Sequence, residues 1–377
     1  MFGRLTRPAA VLLTVGLVFG LGAGTTSAQA AGQRPSPDSY NLYFGDLHAH
    51  TSYSDGARGT TPDDAFIAAA AAGADFMATT DHQGSLTSAE WADTLAAAGR
   101  RTSGDFVAMA GYEAWVVGIG EINMFNTPNW PKEPTGKGAD KANSGHHGNR
   151  WLSLPETYDW LAAQPGAVGQ WNHPTAYAGV SSENFVAFGD WNAGRDQGMG
   201  LVEVFNDVVY ESSYVLALDA GWHVMPAANS DTHGADWISG SDVRTVLLAP
   251  DLSAGALYAA MSAGRGYATL DRNLRVQFTV NGGVMGSVLD GSTANFSVWV
   301  QVEDPDPADA DALTKVEIVS DGGEVVASLP ASGNKGEWSA TLTSSTARYF
   351  YARVSTASGP DGLPGPTAWT APVWTGR

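Results

Sequence analysis

From Leu42 to about Thr269, short apolar runs alternate with amphipathic stretches. Leu42, Phe44 and Leu47 predict a buried strand, and further strands are predicted over 75–80, 106–110, 119–125, 167–171, 201–205, 224–228 and 243–248. Helices fall between them. Thr61 can cap one, Pro62 suits its first position, and Asp63 and Asp64 favour its positive end, before Gly73 stops it. Thr87-Ser88-Ala89-Glu90 and Ser153-Leu154-Pro155-Glu156 read as capping boxes, and 210–220 and 253–263 read as two more helices. Such alternation predicts an α/β fold with a mainly parallel sheet.

Beyond Arg272 the period changes. Residues 274–283 alternate and then turn, and 296–302, 316–319, 337–342 and 349–354 are short β-rich runs separated by Asp and Gly turns. They predict a small Ig-like β-sandwich over 272–377, after a larger domain over 40–270. Residues 304–311, acidic with prolines, read as a solvated loop. Residues 127–151 form a long polar stretch carrying Gly145-His146-His147-Gly148, and loops of that length are usually functional.

Residues 1–30 read as a signal peptide: Arg4 and Arg7, an apolar middle over 11–21, and Ala28-Gln29-Ala30 as the cleavage signal. Secretion to the extracellular space or periplasm is expected, with no membrane span after cleavage. Cleavage would make the formal net charge of −19 more negative by two. So acidic a chain argues against nucleic acid or anionic membranes as partners. The absence of cysteine excludes disulfides and thiolate ligands, so any metal must sit on imidazole and carboxylate, which suits Zn2+, Mn2+ or Fe2+.

The candidate chemistry lies where the strands end. His48 and His50 are two apart at the end of the first strand, so both imidazoles point the same way and can reach one ion. Asp55-Gly56 then turns the chain and offers a carboxylate. Later strand ends carry His82, Glu113, His173, Asp231 and His233. A rim supplied by so many strands suits a closed or nearly closed barrel better than an open sheet.

Taken together and in order, Asp46-Leu47-His48-Ala49-His50-Thr51, Ser54-Asp55-Gly56, Thr80-Asp81-His82, Gly111-Tyr112-Glu113, Asn172-His173-Pro174 and Ser230-Asp231-Thr232-His233 resemble the PHP (polymerase and histidinol phosphatase) family over residues 42–269. The branch they are most similar to is the secreted or carbaryl-hydrolase-like (CehA/McbA-type) one. The resemblance implies a distorted (β/α)7 barrel whose rim holds two or three divalent ions. It places a first ion on His48, His50, Glu113 and Asp231, a second shared by Glu113 and held by His173, and a third on Asp55, His82 and His233. The sequence departs from the family where a further histidine is usual: Gly120-Glu121-Ile122-Asn123 puts Glu121 there. Either Glu121 ligates, or His146 or His147 comes in from the long loop.

Two cations sharing a carboxylate can hold a bridging hydroxide at neutral pH. The expectation is therefore a secreted metal-dependent hydrolase, a phosphoesterase acting on a small or extracellular phosphate ester, with Glu113, Asp231 and His233 as the catalytic set. Its rivals are an amide, ester or carbamate hydrolase on the same metals, and a non-catalytic module whose sandwich contacts a glycan or cell wall. Asp81 is expected to orient His82 or a neighbour, and His223 to be structural. Arg58, Arg150, Arg195 and Arg244 are the candidate phosphate clamps, and some of Trp115, Trp130, Trp151, Trp171 and Trp191 are expected to wall the pocket.

Overall fold

The computed structural model describes residues 40–116, 118–131, 152–175, 184–306, 312–360 and 362–376. Residues 1–30, read as a signal peptide, and the candidates His146, His147, Arg150 and Trp151 lie outside them. The first part of the chain builds β1 (Asn41–Asp46), β2 (Phe76–Thr79), β3 (Val107–Val116), β4 (Gly120–Phe125), β5 (Val168–Trp171), β6 (Met199–Asn206), the short β7 (Val208–Val209), β8 (Met225–Ala228), β9 (Arg244–Ala249) and β10 (Gly266–Thr269). They run side by side as β10-β9-β1-β2-β3-β4-β5-β6-β7, with β8 also beside β6.

The sheet is mixed rather than mainly parallel. Pairs β1/β2, β2/β3, β5/β6 and β6/β8 are parallel, while β3/β4, β4/β5, β1/β9 and β9/β10 are antiparallel. Between β3 and β4 only residues 117–119 intervene, too few for a crossover, so the pair must form a hairpin. Beyond β8 the chain turns back to β1's exit: the Asp231 amide donates to the His48 carbonyl at 2.9 Å and the His50 amide to the Thr232 carbonyl at 3.0 Å.

The helix signals work locally. In α1 (Pro62–Ala71) Thr61 caps the amide of Asp64, and in α2 (Ser88–Arg101) Thr87 and Glu90 form the reciprocal capping box. The last turn of α2 carries Arg100 and Arg101 onto Asp63 in the first turn of α1, so the two helices are joined by charge as well as packing. In α3 (Leu154–Ala162) the Glu156 carboxylate accepts from the Ser153 amide at 2.9 Å. Phe76, Met77, Met109, Leu201 and Val246 lose all contact with water, as expected for strands covered on both faces.

Downstream, Arg275–Val280, Gly283–Val284, Asn295–Glu303 and Lys335–Thr343 make a separate four-stranded antiparallel sheet. The strands Leu313–Ser320, Glu324–Pro330, Tyr349–Thr356 and Gly365–Thr370 do not stand apart: Gly365–Thr370 pairs with β10, so they extend the first sheet. Helix Glu211–Asp219 is fastened to them. Arg348 reaches Asp219 at 2.8 Å, Arg353 and the Tyr351 hydroxyl reach Glu211 at 2.8 and 2.7 Å, and the Tyr214 hydroxyl donates to the Thr370 carbonyl at 3.0 Å. One apolar cluster runs from Phe76 through Tyr267 and Leu274 to Phe350, across the change of period near residue 271.

A chain ending at Leu270 would leave β10 as a bare edge, uncover Tyr214 and strip Glu211 and Asp219 of their arginines. Uncovering a large apolar side chain costs about 2 kcal/mol, and a few such losses rival the ~5–15 kcal/mol net stability of a domain. That truncation is expected to be insoluble, or to melt well below the full chain. A soluble, cooperatively melting fragment in a thermal scan would contradict this.

Candidate metal centre

Backbone hydrogen bonds stitch the strand exits into a rim before any side chain is considered. The Thr80 amide donates to the Ala49 carbonyl at 2.8 Å, Glu113 to Asp81 at 3.1 Å and Gln83 to Glu113 at 2.7 Å. Buried Asp46 joins β1's exit to the one after β8, accepting from the His48 amide at 2.9 Å and from the Ser230 hydroxyl at 2.5 Å. The loop after His50 folds back sharply: the Gly56 amide donates to the Thr51 carbonyl at 2.8 Å, and a side chain on Gly56 would come within 2.6 Å of the His50 backbone. Asp81 holds this loop, accepting from the Thr51 amide and hydroxyl at 2.8 and 2.7 Å and from the Ser54 hydroxyl at 2.6 Å. His173 and Asp231 both have left-handed backbone, φ 26° and 48°. Such conformations cost on the order of 1–3 kcal/mol each and persist only where the surroundings impose them.

This frame brings together all the candidate metal ligands of the described chain: His48, His50, Asp55, His82, Glu113, Glu121, His173, Asp231 and His233. Asp231 Oδ1 lies 3.2 Å from His48 Nε2 and 3.0 Å from His50 Nε2. The two oxygens of Glu113 face different imidazoles. Oε1 is 3.2 Å from His48 and 3.3 Å from His173, and Oε2 is 3.0 Å from His82 and 3.5 Å from His50. Asp55 lies 3.4 Å from His82 and 3.3 Å from His233. Glu121 lies 3.4 Å from His82 and 3.6 Å from His173. It stands opposite Trp115 in the β3/β4 hairpin, and the period of two puts Glu113, Trp115 and Glu121 on one face. Asp55, His82, Glu113, Glu121, His173, Asp231 and His233 line a cavity of about 270 Å³ together with Trp115, and His48 and His50 lie buried behind them.

The donor set fits divalent cations. His48 Nε2, His50 Nε2 and Asp231 Oδ1 are buried and converge at 3.0–3.2 Å without the geometry of a hydrogen bond. Buried polar atoms are rarely left so unless something else binds them. His48, His50 and Glu113 can offer atoms to one point, as can His50, Asp55, His82 and His233, and also His82, Glu113 and Glu121. Imidazole nitrogen with carboxylate oxygen suits zinc, manganese or ferrous iron.

The charges are strongly coupled. Burial alone would depress His48, but Asp231, Glu113 and Glu203 outweigh it and hold it well above the ordinary imidazole value. His82 behaves likewise: burial opposes, Asp55 and Glu113 prevail, and it is pushed up to about 11. Glu113, despite its burial, is held well below the carboxylate range by His48, His173 and His82. Burial, then repulsion from Glu113, push Glu121 up to about 7.

Other candidates fall elsewhere. His223 bonds Asp196 at 2.8 Å and packs on Trp374, away from the cluster. Arg195 is paired with Asp159 at 2.7 Å. Arg244 is buried and spends its guanidinium on the carbonyls of Ile238, Ser241 and Val243, so it does not clamp phosphate. Arg58 is exposed on the Asp55 loop. Trp130 and Trp171 belong to buried aromatic clusters, and Trp191 is exposed beside Gly221. Asp81 acts on a neighbour rather than His82: Ser54, which it holds, lies 3.3 Å from His50 Nδ1. The residue that sequence reasoning missed is Glu203, wholly buried on β6 and 2.9 Å from His48 Nδ1. A lone acid inside Leu201-Val202-Glu203-Val204 was the available signal.

No family model and no curated protein matches the chain. Among solved structures it is similar to a two-domain protein from Bacteroides vulgatus containing a predicted PHP-like metal-dependent phosphoesterase, with 14% identity, 91% of this chain and 100% of that chain covered, and a TM-score of 0.46. It is also similar to PsfC from Pseudomonas syringae, with 15% identity, 60% and 89% covered, and a TM-score of 0.38.

Two outcomes are expected. Raised folded values for His82 and Glu121 mean that the metal-free folded chain binds more protons than the unfolded chain. The stability contributed by His82 is complete below its unfolded value, about 6.5, and drains away as pH rises towards about 11. Ionising Glu121 through about 7 adds to the loss. Chelator-treated protein should therefore melt lower at pH 9 than at pH 6, and Zn2+ should abolish the difference. A flat chelated profile would contradict the coupling. Secondly, Glu121→Ala should lower bound metal measured by elemental analysis, whereas unchanged content would leave Glu121 as a wall of the cavity.

Proposed function

We propose that the chain is a metal-dependent hydrolase, and most specifically a phosphoesterase of PHP type. The observation that carries this is the convergence of the buried, unbonded atoms His48 Nε2, His50 Nε2 and Asp231 Oδ1 beside Glu113, whose two oxygens face separate imidazole pairs. The path β1-β2-β3-β4-β5-β6-β8, returning to β1 through Asp231 and Thr232, supports a distorted seven-stranded barrel, and the later strands support a sandwich packed against it. Export by the leader and the carbaryl-hydrolase-like branch belong to the same reading.

His48, His50, Glu113 and Asp231 would hold one cation, Glu113, His173 and Glu121 a second, and Asp55, His82 and His233 a third. Bound there, divalent cations supply a nucleophilic hydroxide at neutral pH and offset charge developing on the attacked centre. The chain's own residues set the stage. Asn172 donates to Glu113 Oε1 at 2.7 Å and fixes its rotamer. The Asp231 carbonyl lies 2.8 Å from His233 Nδ1, which leaves Nε2 facing Asp55 at the solvent side. Trp115 supplies the apolar wall that the ligands lack. The cavity has no Lys or Arg among the described residues that line it. This favours carbonyl esters, amides and carbamates as the second reading, since a neutral substrate needs no protein cation.

The test is turnover on phosphomonoesters, phosphodiesters and aryl carbamates by the metal-loaded chain. Glu113→Gln keeps the shape and removes the shared charge, and should lower turnover by about two orders of magnitude or more while the chelated protein, though it melts lower, still melts cooperatively. Near-normal turnover in that variant would sink the shared-carboxylate reading. A wild-type chain that loads metal but hydrolyses none of the panel would favour the binding module.

A further inference from the structure

We infer that Glu203 is a positioning residue: its carboxylate fixes the tautomer of His48 and the placement of His173, and so ties together ligands that serve different cations. The inference rests on the metal-centre reading above.

Glu203 sits in the middle of β6 with no exposure to water. Oε1 lies 2.9 Å from His48 Nδ1 and accepts from Asn229 Nδ2 at 2.9 Å and, more weakly, from Gln170 Nε2 at 3.4 Å. Oε2 accepts from the His173 backbone amide at 2.7 Å and from Asn206 Nδ2 at 3.0 Å. Every amide around it is a donor, so the group works as a pure acceptor and His48 Nδ1 must carry the hydrogen. In the neutral imidazole that ligates a cation, this leaves the Nε2 lone pair for the rim, on the side of Glu113 and Asp231. An acceptor behind an imidazole also raises its basicity as a ligand. The second oxygen acts on another strand. His173 has strained left-handed backbone, and the bond from its amide to Glu203 helps hold it there.

A glutamine cannot replace this group. It offers one acceptor oxygen, and its NH2 must face donors on one side or the other. If the NH2 faces His48, the imidazole escapes the clash by moving its hydrogen to Nε2, where a cation needs a lone pair. If it faces β5's exit, the His173 amide loses its acceptor.

The test uses the full chain with Zn2+ as the probe and has two arms. In the first, 15N-histidine NMR of the Zn2+-loaded wild type should show His48, identified by its loss in His48→Ala, with hydrogen on Nδ1 and metal on Nε2. In the second, chelator competition should show Zn2+ held about 10–100-fold more weakly in Glu203→Gln, with the chelated variant still melting cooperatively. A wild-type His48 bound through Nδ1, or Glu203→Gln retaining Zn2+ within about twofold of wild type at normal tautomer, would overturn the inference and leave the metal-centre reading standing. If Glu203→Gln does not fold, the wild-type spectrum decides alone. A wild-type chain that binds no Zn2+ would overturn both.

Discussion

The structure turns on a concentration of negative charge that water cannot reach freely. Glu113, Glu121 and Asp231 meet at one set of strand exits with the exposed Asp55 at their edge, and Glu113 is almost fully buried. A carboxylate taken out of water must be met by opposite charge or by several donors. Five imidazoles meet these, which is why His48 and His82 rise and Glu113 falls in the metal-free chain. The same need shapes the backbone. Strand exits bond to one another, Asp46 ties two of them together, and the strain at His173 and Asp231 is held by neighbours with no freedom to relax it.

What the sequence makes legible follows from range. His48 and His50 lie two apart on one strand, so their common direction is a local fact. The caps at Thr61 and Thr87 are local too, and they are found where the pattern puts them. Alternation of strands and helices predicted the elements but overstated how many of them run parallel. The β3/β4 hairpin depends on the shortness of its connection, and it sets Glu121 opposite Trp115 and on the face of Glu113. Glu203 was visible as an acid inside an apolar run, yet its partners come from residues 48, 170, 173, 206 and 229, and no local pattern announces such a meeting. Arg244 shows the converse: a cation near the site segments proves to be consumed by loop carbonyls.

The later strands are a second case. Their alternation is plain, but the pairing of β10 with Gly365–Thr370 is not, because it joins segments far apart in the chain and no strand was predicted over 365–370. Physically the pairing answers a need of the first sheet. β10 would otherwise end it with a row of open amides and carbonyls, an invitation to association. The buried Trp369 and the Arg348 and Arg353 bonds to helix Glu211–Asp219 make that closure specific. The rim carrying the ligands and the sheet that seals β10 thus share one hydrogen-bonded path through β9 and β1.

Glu121 bears on which cation suits the centre. The resemblance expects an imidazole at that place, neutral and borderline in softness. A carboxylate is harder and adds one negative charge beside Glu113, and repulsion from Glu113 joins burial in raising Glu121. Hard oxygen donors favour cations such as Mn2+ over the softer choices that imidazole selects. The pairs on either side are unequal in the same sense: His48 and His50 bring two nitrogens to Asp231, whereas Glu113 and Glu121 bring two carboxylates to His82. The donor atoms are therefore richer in nitrogen around Asp231 and richer in oxygen around His82. Glu113, which faces His48 with one oxygen and His82 with the other, joins the two groups.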